Sequence, residues 1–163
     1  MSDREFYSDF FVTINTHLAP QTQQVKQYVI LTLHKTIEEW IKIENLQQCF
    51  PQRSGHITKV VYTLGAIEQG DEHKKIHAHI NLSLLHKGKL RLTLNGKNIN
   101  DRTKEWFDQR LPWRTGCYTS VDLTDSSRAK NYAIRAGTNE AEGNIVLPDV
   151  VASRAGEDWG EDE

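Results

Sequence analysis

Two runs of β-branched and apolar residues, 57–68 and 76–85, flank a short polar loop and constrain this chain more than any other feature, because together they read as a β-hairpin. In a strand, residues two apart share a face. His77 and His79 therefore project together, while the small apolar Ala78 faces the other way. Glu68 ends the first run, Val60-Val61-Tyr62-Thr63-Leu64-Gly65-Ala66-Ile67, and the connection Gln69–Lys75 is polar with a single glycine. Closing that loop brings Glu68 across from the histidine pair. Two neutral imidazoles and one carboxylate, with coordination positions left over, suit a divalent metal that also holds a substrate oxygen. Histidines two apart also occur on ordinary half-buried polar strands, and short motifs of this kind have false positives. The remaining histidines, His17, His34, His56, His73 and His86, show no ligand spacing. They are expected to be solvated, with His73 a bystander in the loop.

At 163 residues the chain is long enough for one domain with a real core. No apolar run approaches a membrane span, and the polar, charged start Met1–Asp9 is unlike a secretory signal. Cys49 and Cys117 are not closely spaced, and both are expected as reduced thiols of a cytosolic or nuclear protein. The net charge of −2 hides an asymmetry. Residues 138–163 carry eight acidic side chains against the single basic Arg154, whereas residues 1–137 carry 19 Lys and Arg against 14 Asp and Glu. A modestly basic body is compatible with a phosphate backbone, as is any solvated charged surface. The acidic segment 138–163 is expected as a flexible tail or linker behind a domain spanning 1–137.

The order of elements points to an α+β fold, a mostly antiparallel sheet flanked by helices. Phe10–Asn15 reads as a strand. Thr22 is a candidate N-cap for a long helix reaching about Gln47, with Val25, Val29, Leu33, Ile37, Trp40 and Ile41 at helical spacing. After the break Pro51–Gly55 come the two strands of the hairpin. Lys87-Gly88 reads as a turn into a strand with Leu90, Leu92 and Leu94, and Asn95-Gly96 as a second turn. Asn100 or Asp101 is expected to cap a short helix with Trp106, Phe107 and Leu111, stopped by Pro112. Residues 117–123 form a further strand with alternating faces. Asp125 or Ser126 opens a last helix with Ala129, Ala133, Ile134 and Ala136, closed by Gly137.

That last helix contains Asn131-Tyr132-Ala133-Ile134-Arg135. Tyr132 and Arg135 are three apart and share a face. A tyrosine on a helix is usually a packing residue. Beside a divalent-metal cluster it acquires another use, because a phenol can attack a phosphodiester when a metal polarises the phosphoryl oxygens and a cation offsets the developing charge. Tyr118 is the competing tyrosine, placed on a strand.

Three ordered motifs resemble those of HUH endonucleases, especially the single-tyrosine replication initiators (Rep proteins) of small circular single-stranded DNA viruses. Residues 10–16, Phe-Phe-Val-Thr-Ile-Asn-Thr, are similar to the family's first motif, an N-terminal strand associated with origin binding. His77-Ala78-His79 resembles the metal motif, Glu68 the additional carboxylate ligand, and Tyr132-Ala133-Ile134-Arg135 the tyrosine motif. The resemblance covers residues 10–137. It implies a five-stranded sheet of the RNA-recognition-motif kind, Mg²⁺ or Mn²⁺ held by Glu68, His77 and His79, and single-stranded origin or hairpin DNA bound with help from Phe11, Thr13 and Asn15. It further implies attack by Tyr132 to leave a 5′-phosphotyrosine, with Arg135 stabilising the phosphate, as the nick that starts rolling-circle replication. The implied setting is soluble, with no membrane partner: the host nucleus for a eukaryotic virus, otherwise the cytoplasm. A helicase domain or replication proteins are the implied further partners.

Two features depart from the family pattern. Arg135 stands where lysine is usual; it keeps the charge but cannot give up a proton. Residues 86–114 are longer than the compact viral examples need. The chain also has no Gly-x-x-x-x-Gly-Lys-Ser/Thr phosphate loop. Two other classes stay open: a transposase or a plasmid mobilisation or replication nuclease of the same chemistry, and a non-catalytic sheet that binds single-stranded nucleic acid by stacking.

Overall fold

The computed structural model describes residues 5–50, 57–69, 75–88, 93–121 and 145–153. Within them the fold is α+β. The elements run β1 (Glu5–Asn15), α1 (Gln23–Trp40), α2 (Ile43–Cys49), β2 (Ile57–Gln69), β3 (Ile76–Lys87), β4 (Thr93–Leu94), β5 (Lys97–Asn98), α3 (Ile99–Asp108), β6 (Gly116–Val121) and β7 (Ile145–Ser153). Five strands form one antiparallel sheet in the order β6-β1-β3-β2-β7, so β3 is central, with β1 and β2 on its two sides.

The period-2 pattern of β1 and β3 divides the sheet into two faces. Phe10, Val12 and Ile14 join Ile76, Ala78, Ile80, Leu82 and Leu84 in the hydrophobic core. Against them pack Val29, Ile30, Leu33, Ile37 and Trp40 of α1, Leu46 and Cys49 of α2, and Ile99, Trp106 and Phe107 of α3. Among the described residues all three helices therefore lie on this one face. The opposite face carries Phe11, Thr13 and Asn15 of β1 beside Asn81, His79 and His77 of β3. No helix among the described residues is long and apolar enough to cross a membrane.

Several elements differ from the sequence reading, each for an identifiable reason. The long first helix is two. Thr22 caps α1 as expected, its hydroxyl accepting from Val25 N–H, but the backbone turns extended at Lys42 before α2 begins. The bend folds α2 back so that Trp40 Nε1–H meets Cys49 Sγ at 3.4 Å, with Phe50 tucked between Phe10 and Trp40. Val25 is exposed and Lys26 and Ile30 are buried instead. The N-cap of α3 is Asn98, which closes a capping box with Asp101. The Asn95-Gly96 turn is present, with both residues at positive φ as a type I′ hairpin requires. It joins only the two short strands β4 and β5, which form a separate ribbon.

The fifth strand of the main sheet comes from an unexpected place. Ile145–Ser153, inside the segment expected to be a flexible tail, pairs with β2. The run Ile145-Val146-Leu147-Pro148-Asp149-Val150-Val151 has the β-branched content of an edge strand, and the acidic count around it masked that pattern. The sheet thus extends past residue 137.

His86 is also not solvated. It sits on the core face, 2 % exposed, where Phe6 stacks on its ring at 5.9 Å. A carbonyl only accepts, so His86 Nδ1–H donates to Gly88 O at 2.8 Å, and Nε2 accepts from the Ser8 hydroxyl at 3.0 Å. Both ring nitrogens are satisfied in the neutral form.

Two predictions follow from this architecture. A chain ending at residue 144 loses β7 and leaves β2 as a bare edge, so its melting temperature should fall by several degrees, whereas a chain ending at Ser153 should melt like the full chain. Calorimetry of both truncations checks this. Burial lowers the His86 pKa below 6.5, outweighing the Gly88 carbonyl that raises it. The folded state then binds fewer protons than the unfolded state, so its contribution is full above the unfolded pKa and shrinks as pH falls below about 6.5. Denaturant titrations in EDTA should show that loss in the wild type and a shallower one in His86→Gln.

Candidate metal centre

The site is built by register. Glu68 of β2 is the direct cross-strand partner of His77, and Ala66, two residues earlier, is the partner of His79. The irregularities in the pairing of β2 with β3 lie at its far end, between Ile57 and Tyr62, and leave this end in regular register. Glu68 therefore meets His77 directly and His79 on the diagonal, a distance long side chains span. Ala66 leaves the space that lets the His79 ring lean across. Glu68 Oε1 lies 2.9 Å from His77 Nε2 and 3.2 Å from His79 Nε2. The expected convergence of Glu68, His77 and His79 is thus present in the geometry.

Each imidazole is held from behind. His77 Nδ1–H donates to the Lys75 carbonyl at 3.0 Å, because that oxygen can only accept. His79 Nδ1 and Thr13 Oγ1 are 3.0 Å apart, and Thr13 is the β1 partner of His79. Phe11 stacks on the His79 ring, centroids 5.3 Å apart and planes at 13°. The two imidazoles meet edge to face at 4.8 Å. This is the outer-shell arrangement that fixes tautomer and orientation in metal-binding histidines.

The donor set fits a divalent ion. With Nδ1 of His77 committed to a carbonyl, its Nε2 points a lone pair at a carboxylate oxygen unless a cation or proton lies between. The ligand atoms of all three residues lie within 4.8 Å of one another. The 2.9 and 3.2 Å separations match the edge of an octahedron with metal–ligand bonds of about 2.1 Å, roughly 3 Å. Burial first, and the His77 imidazole second, push the His79 pKa down to about 4, against the pull of Glu68. A neutral imidazole is the form that ligates. The three side chains keep between 11 and 17 % exposure, enough for an ion and a substrate oxygen to reach them.

The three residues expected to contact DNA all lie on this face. Phe11 and Thr13 brace His79, and the Asn15 side chain accepts from His17 N–H at 2.8 Å through Oδ1. Tyr132 and Arg135 lie outside the described residues, as do His56, His73 and the helix expected between 125 and 137. Two further residues stand beside the site: His17, expected to be solvated and indeed exposed, and Tyr118, weighed from the sequence only as a competing nucleophile. His17 has a left-handed backbone, φ 59°, and its ring rests on Gly116, the β6 partner of Asn15. Tyr118, the β6 partner of Thr13, stands on the same face. Its place beyond the metal motif was signalled only by strand alternation. Against known families and curated proteins, the chain matches no family model and no curated sequence.

Mn²⁺ at about a hundred times its Kd should stabilise the chain by about 2.7 kcal/mol, a rise in Tm of roughly 5–10 °C. His77→Ala and Glu68→Gln should each abolish most of that rise, and EDTA should reverse it, as followed by thermal melts with and without metal.

Proposed function

We propose that this chain is a metal-dependent endonuclease and strand-joining enzyme acting on single-stranded DNA, of the HUH type, used to nick a replication origin. The observation that carries the reading is the convergence of Glu68 with His77 and His79 on the sheet face opposite the three described helices. A structural metal site is usually closed by four protein ligands, whereas the three that the described residues contribute leave positions for substrate. The sheet class agrees with the one the motif resemblance implies, and the basic body of the chain suits a phosphate backbone.

Glu68, His77 and His79 would hold Mg²⁺ or Mn²⁺, which supplies Lewis-acid polarisation of a phosphoryl oxygen. In the proposed reaction the Tyr132 hydroxyl attacks phosphorus, an O–P bond to tyrosine forms, and the bond from phosphorus to the 3′-oxygen breaks. The phenolic proton is lost and the departing 3′-oxygen gains one. Nothing is oxidised, and the phosphodiester count is unchanged, so the same centre run backwards rejoins ends. Arg135 would pair with the phosphate through its guanidinium. Thr13 and Phe11 hold His79 in place, and Lys75 O holds His77.

A non-catalytic sheet that binds single strands is the second reading, favoured by the exposed aromatic Tyr118 on the site face. The test separates the two. Incubation with a single-stranded oligonucleotide library and Mn²⁺ should yield an SDS-stable adduct, and proteolysis with mass spectrometry should find the DNA on the peptide containing Tyr132. Tyr132→Phe should lose adduct and nicked product together while keeping the metal-induced rise in Tm. Arg135→Ala should slow cleavage and Arg135→Lys should restore it. Full cleavage in EDTA, or DNA attached to Tyr118, would overturn the assignment.

A further inference from the structure

Beside the metal centre, on the β1–β6 flank, two rings stand on the site face that the proposed chemistry does not use. Tyr118 is 63 % exposed and makes no hydrogen bond or ring contact with any described residue. It shares a cross-strand row with Thr13 and the ligand His79. Two residues earlier on β6 is Gly116, in the row of Asn15 and the ligand His77. The His17 ring fills the space over Gly116: a Cβ there would stand 2.7 Å from His17 Nε2.

This placement of His17 is built. Its positive φ is uncommon for a residue other than glycine, and it is fixed on both sides. Asn15 Oδ1 accepts from its N–H at 2.8 Å. The next link in each direction is tied to β3: Thr16 N–H and hydroxyl both donate to Ile76 O, at 3.0 and 2.6 Å, and Ile76 N–H donates to Leu18 O at 2.9 Å. A strained backbone held this firmly, under an exposed ring, is a pattern associated with function.

We infer that His17 and Tyr118 form the two walls of a slot that receives one base of single-stranded DNA, next to the nucleotide whose phosphate meets the metal. Two residues along β6 span about 6.7 Å. That is about twice the 3.4 Å rise per base of a stacked strand, so the interval between the walls admits one base. Each wall lies two strands from its ligand in the same row, about 10 Å across the sheet at about 5 Å per strand. A nucleotide whose base enters the slot is thus a neighbour of the metal-bound phosphate. Stacking on a tyrosine and a histidine ring reads no base edge, so the slot would accept any base. Recognition of sequence then comes from elsewhere on the chain. The inference rests on the site being a nucleic-acid site, but not on cleavage.

Fluorescence anisotropy in EDTA, with a labelled oligo-dT and an all-abasic strand of the same length, tests this without needing catalysis. Tyr118→Ala should weaken oligo-dT binding about tenfold and leave the abasic strand unaffected, and Tyr118→Phe should restore most of the loss, since stacking needs the ring and not the hydroxyl. His17→Ala should weaken oligo-dT in the same selective way. Gly116→Ala should reproduce that effect by swinging the His17 ring aside, with melting temperatures confirming that the variants fold. Tight oligo-dT binding by the wild type with no loss in Tyr118→Ala, or an equal loss on the abasic strand, overturns the slot and leaves the metal-site reading standing. No binding of either strand by the wild type, in EDTA and with Mn²⁺ alike, overturns both. Selective loss in the variants of a protein that never forms a covalent adduct supports the slot and removes the nuclease. Binding of oligo-U with no binding of oligo-dT would overturn the assignment to DNA.

Discussion

The register of β3 between β1 and β2 is the constraint on which the rest of this molecule depends. Side chains alternate with a period of two, so a one-residue slip of β3 against either neighbour would carry His77 and His79 to the core face and Ala78 to the site face. The apolar set Ile76, Ala78, Ile80, Leu82 and Leu84, buried under three helices, forbids that slip. Burial on the helix face thereby holds the chemistry on the other. The ligands have no need of a rigid loop because the pairing of Glu68 with His77 is itself a consequence of core packing.

Desolvation then sets the character of the site. The Glu68, His77 and His79 side chains are mostly buried, which would strengthen their interaction with an ion that enters. At His79 burial also disfavours charge, outweighing an adjacent carboxylate that would favour its protonation. Lys75 O and the Thr13 hydroxyl occupy the far nitrogens and leave both Nε2 atoms turned toward the same carboxylate oxygen. His86, also on β3 but on the core face, is spent entirely on internal bonds to Ser8 and Gly88. Two histidine environments on one strand thus differ because alternation sends one to the core and the others to the site.

Much of this was legible in the sequence, and the failures have physical causes. The hairpin, its polar loop and the meeting of Glu68 with His77 and His79 follow from period-2 alternation, a local signal. The α+β class with a mostly antiparallel sheet follows from the order of elements, and five strands were implied by the motif resemblance, yet neither gives the membership of the sheet. Of the strand expected near Leu90–Leu94, the described residues Thr93 and Leu94 pair in a separate ribbon, and the fifth strand of the main sheet is Ile145–Ser153. Edge pairing across some eighty residues leaves no local mark, and a net charge averaged over a segment erases the apolar run inside it. The bend at Ile41–Lys42 was hidden because Trp40 and Cys49 fit one continuous helix pattern until the tertiary contact between them selects two. The place of His17 beside the site was not legible because it depends on a positive φ and on the missing side chain of Gly116, which is about a hundred residues away in sequence.

Seen together, the first strand does more than supply one edge of the core. Along β1 the inward residues Phe10, Val12 and Ile14 are fully committed to the helices, while the outward residues Phe11, Thr13 and Asn15 support the site face. Phe11 stacks on one ligand ring, Thr13 hydrogen-bonds that same ring, and Asn15 fixes the backbone of His17 over Gly116. The residues that the motif resemblance offered as DNA contacts act, in these contacts, as a brace. The distinction matters for mutagenesis. A polar contact to a phosphate is one of many and its loss is spread over the whole affinity, whereas a brace acts through the ligand it orients, and its loss appears first in metal affinity. Thr13 is where the two roles separate most cleanly, because its single hydroxyl is already engaged by His79 Nδ1, and its row runs without interruption from the ligand to the exposed ring of Tyr118.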